Sequence, residues 1–406
     1  MKVFEKLVFP NGSYVPNRIA KAAMEENMAD LNHAPSEELM RLYQAWANGG
    51  VGLIITGNVM VDRRANGYTG ELIAREAVRQ GLKPTLAGRN KAKVEALAQE
   101  LGLGYKAFGL DNVDAVSEQL KGFKLIMHCA GPFSATSKPM MEACIKAGAH
   151  YLDITGEISV FELAQSLNSQ AEKADVVLCP GVGFDVIPTD CVAAALKEAL
   201  PDATHLALGF DSKTGLSPGT AKTSTEGMAE GGKIRKNGKI TTVPLAHYVR
   251  TIDFGDGKKS AMSVPWGDVS TAFYTTGIPN IEVFVPAPPK MIFGAKMMNC
   301  FRPVLKLNAV QKFIKSRIEK TVVGPNEELR AKVPTYVWGE ARNTRGEIKT
   351  ARIQTENAYS LTVNGSLTVV NYLLNNTVKG GTYTPAKLMG YKLVTELPGS
   401  GPLVIN

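Results

Sequence analysis

The sequence predicts an α/β protein, a doubly wound parallel sheet with helices on both faces, followed by a second α+β domain. Between residues 70 and 211, short apolar segments alternate with amphipathic segments at helical spacing. That is the pattern of strand–helix units laid side by side in a parallel sheet. After residue 211 the chain turns rich in Gly, Ser and Thr, then becomes strand-like with alternating polarity, as an antiparallel sheet requires. The length, 406 residues, leaves room for about two or three domains.

Each element has its own signal. GELIAREAVRQ (70–80) reads as a helix with Leu72, Ile73, Ala77 and Val78 inward, closed by Gly81. PTLAG (84–88) is a strand, KAKVEALAQELG a helix, YKAFGL (105–110) a strand and DNVDAVSEQL (111–120) a helix. KLIMHCAGP (124–132) is a strand ending in a glycine turn; Ser137 is expected to cap the next helix, with Pro139 in its first turn and Gly148 at its end. HYLDITG (150–156) and VVLCPGVG (176–183) are strands separated by one helix over 160–174. A helix over 189–200 and a strand over 204–211 complete the alternation. Residues 240–288 read as β-rich, 335–363 as strand-like, and 366–376 as a closing helix. The expected division is 65–203 for the parallel domain, 204–365 for the second domain, and a tail over 366–406 that packs back on the first.

Hydrophobic residues make up 44% and charged residues 21%, which excludes a disordered polyampholyte, a collagen or a disulfide miniprotein. No run of about 18 apolar residues occurs, so no spanning helix is expected. The N-terminus lacks the apolar core of a secretion signal, and the five cysteines form no CxxC pair; the expectation is a cytoplasmic protein with reduced thiols and no metal site. The net charge of +8 is concentrated in residues 290–320, which hold eight basic residues against Glu319 alone, interleaved with Met291, Phe293, Met297, Met298 and Phe301. Such a segment is either a helix with a solvated cationic face or a peripheral membrane or acyl contact. The aromatics form no stacking platform for nucleic acid, and none is expected as a partner.

The first chemical clue is ANGYTGELIA, in which Gly67 and Gly70 run through Tyr68 and Thr69 into a helix. Glycine lets the backbone approach a pyrophosphate, and the helix N-terminus supplies N–H donors. Arg89, 22 residues beyond Gly67 in AGRN, stands where an acidic residue would read the ribose of NAD. An arginine suits the 2′-phosphate of NADP instead, with Asn90 and Lys93 assisting. Ala130, Gly131, Pro132 and Phe133 (AGPF) end another strand on the same edge.

NGYTGELIAREAV, LAGRN, HCAGPF, HYLDITGE and PGVGFDVIPTD, with YVWGEARN, YTPAKLMG and ELPGS further on, resemble the saccharopine dehydrogenase-like NADP-binding proteins, including the trans-acting enoyl reductases. The resemblance covers about residues 65–406. It implies a Rossmann-like domain, a second α+β domain, NADP (NADPH) as cofactor, and oxidoreductase activity on a small-molecule substrate, acyl or lipid-linked.

Residues 1–64 are different. VFEKLVFPNGSYVPNRIAKAAMEENMAD and SEELMRLYQAWANGGVGLIITGNVMVDRR resemble the start of old yellow enzyme-type flavin oxidoreductases. That resemblance implies a partial TIM-barrel-like segment, with RIAKAAM as a first strand, 36–48 as an amphipathic helix and GLIITG as a second strand. It also places Ala22, Ala23, Met24, Thr56 and Gly57 near FMN. A barrel needs eight such units to close, so FMN is not expected to bind. The chain reads as two pieces joined near Ala65. The join puts Arg64 where the second family has glycine, a position whose backbone normally needs one. The central first strand then has two substitutes, Val59–Val61 or Leu53–Thr56.

Hydride transfer also needs a group that polarises or protonates the acceptor. Tyr151, Asp153 and Asp185 are the candidate catalytic residues, with Thr155, Glu157 and Asp190 beside them. The competing readings are a loop-bracing or helix-capping role for Asp153 and capping for Asp185 and Asp190. His128 reads as a core histidine, and SPGTAKT (217–223), with Lys222, as a serine-capped helix. Two other functions stay open: an FMN-dependent ene-reductase, from residues 1–64 alone, and a non-catalytic binding or membrane-surface protein with a damaged cofactor loop.

Overall fold

The computed structural model describes residues 5–8, 14–15, 17, 20–21, 37–48, 53–54, 68–212, 230–302, 310 and 333–406. They fall into two units, 1–68 and 69–406. In the first, β1 (Leu7–Val8) pairs antiparallel with β2 (Tyr14–Val15). β3 (Ala20–Lys21), helix α1 (Glu37–Asn48) and β4 (Leu53–Ile54) form a strand–helix–strand unit, with Ala20 opposite Leu53 in parallel register. Leu53–Ile54 is therefore the partner of Ala20–Lys21 in a two-stranded sheet; Thr56, the end of that candidate first strand, lies outside the described residues. Val59–Val61, Arg64 and Gly67 lie outside the described residues, as do Ala22, Ala23, Met24, Thr56, Gly57 and SPGTAKT.

The second unit begins with the expected alternation. α2 (Tyr68–Arg79), β5 (Leu86–Gly88), α3 (Lys91–Leu101), β6 (Tyr105–Ala107), α4 (Val113–Leu120), β7 (Leu125–His128) and α5 (Phe133–Ala147) follow in order. β8 (His150–Asp153), α6 (Ile158–Ser166), α7 (Asn168–Ala174), β9 (Val177–Cys179) and α8 (Ile187–Ala199) come next. Local chemistry sets these boundaries. Asn90 caps α3 by accepting from Lys93 N at 3.1 Å, and Gly102 ends it at φ 65°, a left-handed conformation that glycine takes without strain.

The start of α5 departs from expectation. Ser137 is buried inside the helix and Pro139 stands in its interior rather than its first turn. The helix begins earlier because Glu157 supplies the missing cap, its Oε1 accepting from Phe133 N at 3.1 Å. The single helix expected over 160–174 breaks at Leu167 into α6 and α7.

The parallel strands form two groups. β7, β8 and β9 make one sheet, and β5 pairs with β6 in another. Among the described residues no strand joins them. A doubly wound sheet of this type places its first strand between those groups; residues 55–67 lie outside the described set.

The second sheet is larger and mixed. It contains β10 (His205–Ser212), β11 (Gly232–Lys236), β12 (Lys239–Val243), β13 (Val249–Asp253), β14 (Lys258–Ser263), then after α9 (Asp268–Thr276) β15 (Asn280–Pro286). After α10 (Pro289–Met298) come β16 (Thr335–Arg342) and β17 (Ile348–Thr355). The stretch 240–288 is β-rich, as read, with α9 lying among its strands. β10 runs parallel to β15 and antiparallel to β16.

YSLTVNG, expected as strand, is helical. α11 spans Ala358–Asn375, capped by Asn357, which accepts from Tyr359 N and Ser360 N. The β-branched run is overridden by packing: Leu361, Val369 and Leu373 are buried in the main core, and tertiary burial outweighs local propensity. The tail then returns to the first sheet. β18 (Gly381–Thr382) pairs in parallel with β9, α12 (Pro385–Met389) and α13 (Leu393–Glu396) follow, and β19 (Val404–Ile405) pairs with β17.

One core unites both sheets. α8 lies between them, and nine of its 13 residues are buried, as expected for a helix covered on all sides. Arg235 adds a polar fastening: it donates to Glu162 Oε1 at 2.8 Å and to the Val269 carbonyl at 2.8 Å, beneath the Phe273 ring.

Candidate active site

Ligands of parallel sheets bind outside the carboxyl ends of the strands, and the predicted residues gather there. Gly70 lies in the first turn of α2, and a Cβ on it would stand 3.1 Å from Cys129 Cβ, just beyond the end of β7. Tyr68 and Thr69 share that turn. Next to Cys129 run Ala130 and Gly131, joined by a cis bond to Pro132 ahead of Phe133. Thr136 holds this loop, donating to the Ala130 carbonyl at 2.6 Å with His128 Nε2 3.0 Å away. Burial pushes the His128 imidazole down to about 4, so it is neutral, as a core histidine should be.

Arg89 and Asn90 follow β5. The Asn90 side-chain oxygen caps α3, while Arg89, Lys91 and Lys93 are exposed around the same helix start. Among the described residues no carboxylate pairs with these three cations. A helix N-terminus bearing three exposed cations fits a phosphate monoester.

Tyr151 and Asp153 are fully buried. The Tyr151 hydroxyl donates to Asp153 Oδ2 at 2.7 Å, and Oδ1 accepts from Thr155 N at 2.9 Å and Gly181 N at 2.8 Å. Burial raises the Asp153 carboxyl to about 6 against the pull of those bonds. Asp153 thus braces the loops after β8 and β9, and both side chains are closed to solvent. Asp190 is likewise no helix cap: it stands inside the first turn of α8 and accepts from Thr275 Oγ1 at 2.5 Å and Ala386 N at 2.9 Å. Burial pushes its carboxyl up to about 6.

Asp185 differs. It is half-buried, and among the described residues no donor reaches its carboxylate. Burial lifts it to about 7, so it exchanges a proton in the neutral range. It follows β9, and a Cβ on Gly156 would lie 2.8 Å from its Oδ2. The Trp266 indole donates to the Asp185 carbonyl at 3.0 Å and packs on Phe210, which meets Phe184 edge to face with ring centres 5.4 Å apart. This aromatic wall escaped the sequence reading because its three members come from three distant segments. WGD at 266–268 was its local trace, a tryptophan and a glycine before a buried aspartate.

That aspartate, Asp268, is fully buried; Oδ1 accepts from Thr189 Oγ1 at 2.6 Å and Oδ2 has no partner. Burial holds its carboxyl well above the usual range. The folded protein therefore keeps it protonated while the unfolded chain ionises it above about pH 4. Its contribution to stability is complete below that pH and is lost as pH rises toward the folded value. Asp268→Asn keeps the Thr189 bond without the ionisation. It will stabilise the fold increasingly with pH, by up to about 1.4 kcal/mol per unit. Thermal unfolding at several pH values checks this; a constant difference between variant and parent would refute it.

Residues 65–179 match the family model of the saccharopine dehydrogenase NADP binding domain. This stretch is such a domain. Among curated relatives, the saccharopine dehydrogenase-like oxidoreductase of Mus musculus is 27% identical over 213 residues, covering 46% of this chain and 50% of its own length. The trans-acting enoyl reductase of Mycobacterium bovis is 26% identical over 206 residues, 47% of this chain and 49% of its own. The matched region spans about half the length of these relatives. Apo saccharopine dehydrogenase (L-Glu forming) from Saccharomyces cerevisiae shares the fold, with a TM-score of 0.58 at 10% identity over 84% of this chain and 98% of that one. The saccharopine dehydrogenase-type domain thus contains Gly70, Arg89 and the Ala130–Phe133 loop, while Asp185 and the aromatic wall lie beyond its matched boundary. No helix among the described residues is long and apolar enough to cross a membrane.

Proposed function

We propose that this chain is an NADP(H)-dependent oxidoreductase that transfers hydride to or from a small-molecule substrate, acyl or lipid-linked. The match of residues 65–179 to an NADP-binding domain carries the reading. The names of the relatives, oxidoreductase and enoyl reductase, support the reaction class. Bound NADPH would supply the hydride. Gly67, Tyr68, Thr69 and Gly70 would receive its diphosphate, Arg89 with Asn90 its 2′-phosphate, and Ala130–Phe133 would line its path along the strand ends. Asp185 would hold the proton that the reduced acceptor takes, with Phe184, Phe210 and Trp266 excluding water behind it. Residues 65–203 would form the cofactor domain, 204–365 the substrate domain, and the tail from 366 would close the first sheet.

Titration with NADPH and NADH tests this reading. Arg89→Ala is expected to weaken NADPH by about 10- to 100-fold, the worth of one charge-assisted bond, and to leave NADH unchanged. Equal binding of the two coenzymes to the parent chain, or binding of neither, would overturn the assignment.

A further inference from the structure

Helix α10 turns most of its apolar side chains outward. Ile292 is buried with Ala246, Met262 and Ala287, and Ala295 packs beside them. One turn on, Asn299 accepts from Leu245 N at 2.7 Å and donates to the Leu245 carbonyl at 3.2 Å. Ile292, Ala295 and Asn299 recur at three- and four-residue spacing and so define the inward face. Met291, Phe293, Met297 and Met298 are 57%, 68%, 47% and 37% exposed. Four large apolar side chains open to solvent on a helix of 10 residues mark a contact surface rather than scattered surface residues. Lys290 and Lys296 are exposed on the same helix, and the chain from Val283 to Arg302 contains no acidic residue. Arg302 is engaged within the protein, donating to the Glu230 carbonyl at 2.8 Å.

We propose that this face docks on an anionic lipid surface, with Phe293 and the three methionines entering the acyl boundary and Lys290 and Lys296 meeting the headgroups. Charge complementarity selects the occupant. A second copy of the same face would set lysine against lysine, which opposes association, whereas an anionic bilayer neutralises both. Outward apolar side chains with basic neighbours are what interfacial binding requires. The proposal needs no coenzyme, so it stands or falls separately from the catalytic reading.

The test is co-sedimentation of the full chain with vesicles of phosphatidylcholine alone and of phosphatidylcholine with phosphatidylserine. Binding is expected only to the serine-containing vesicles and is expected to fall with salt. Lys290→Ala with Lys296→Ala should weaken it by about 25-fold, at roughly fivefold per lysine. Phe293→Asp with Met297→Asp should abolish it while circular dichroism and the unfolding midpoint stay unchanged, because both side chains face solvent. Absence of binding by the parent chain would overturn the proposal, as would undiminished binding of Phe293→Asp/Met297→Asp. Concentration-dependent self-association, lost in that variant and unaccompanied by vesicle binding, would assign the face to a second copy instead.

Discussion

Valine in place of Gly339 will destabilise the fold by about 3 kcal/mol, the upper end for an overpacked core site. Gly339 sits in β16 opposite Leu208 on one side and Ala351 on the other. A Cβ there would stand 2.5 Å from Val192 Cγ1 and 2.7 Å from Leu196 Cδ1, both on α8 and both fully buried. Neither side chain can swing into open space, so the helix must lift from the sheet that it joins to the parallel strands. Strand propensity argues for the opposite sign, since valine favours a pleated strand and glycine weakens one. Denaturant unfolding followed by circular dichroism separates the two effects: a lower midpoint, with Gly339→Ala in between, is expected. A higher midpoint would show that the gap between α8 and β16 is wider than described.

The second large effect concerns turnover. If Asp185 delivers the proton, Asp185→Asn will lower kcat by about 10²- to 10⁴-fold, the usual worth of a general acid, and leave NADPH affinity unchanged. The parent rate should fall as pH rises through about 7, where the carboxyl loses its proton, and the variant should lack that limb. The substitution acts on stability in the opposite direction to its effect on kcat. A carboxyl whose folded value is raised gives up its contribution as pH rises through that value, so the amide should unfold later than the parent under alkaline conditions. Lost activity in a protein made no less stable would separate chemistry from folding. A variant with undiminished kcat would remove Asp185 from the reaction.

The alternation of apolar and amphipathic segments was legible because each parallel strand is buried on both faces while each helix keeps one polar side. The positions of Arg89 and Ala130–Phe133 were legible for the same reason: they follow β5 and β7, and strand ends share one side of a parallel sheet. The failures share a different cause. Ser137 looked like a cap because no local residue explained the start of α5; the cap is Glu157, 24 residues away. Val363 and its neighbours looked like a strand because β-branched residues favour one, yet burial against distant segments made the stretch helical. Asp153 was open to both a catalytic and a loop-bracing reading, because a carboxylate amid apolar residues is costly; the structure offsets that cost with the Tyr151 hydroxyl and two backbone N–H groups. Contacts between distant segments cannot be read from local pattern, and these decided which aspartate remained accessible.

The pairing of Gly381 with Val177 has a consequence for biosynthesis. A ribosome releases β9 some two hundred residues before its outer neighbour exists, and closing so long a loop is slow. Nascent chains must therefore carry β9 with its outer edge bare until Gly381–Thr382 have been made. Products of premature termination will share that sticky edge, which makes them natural clients for chaperones and proteases.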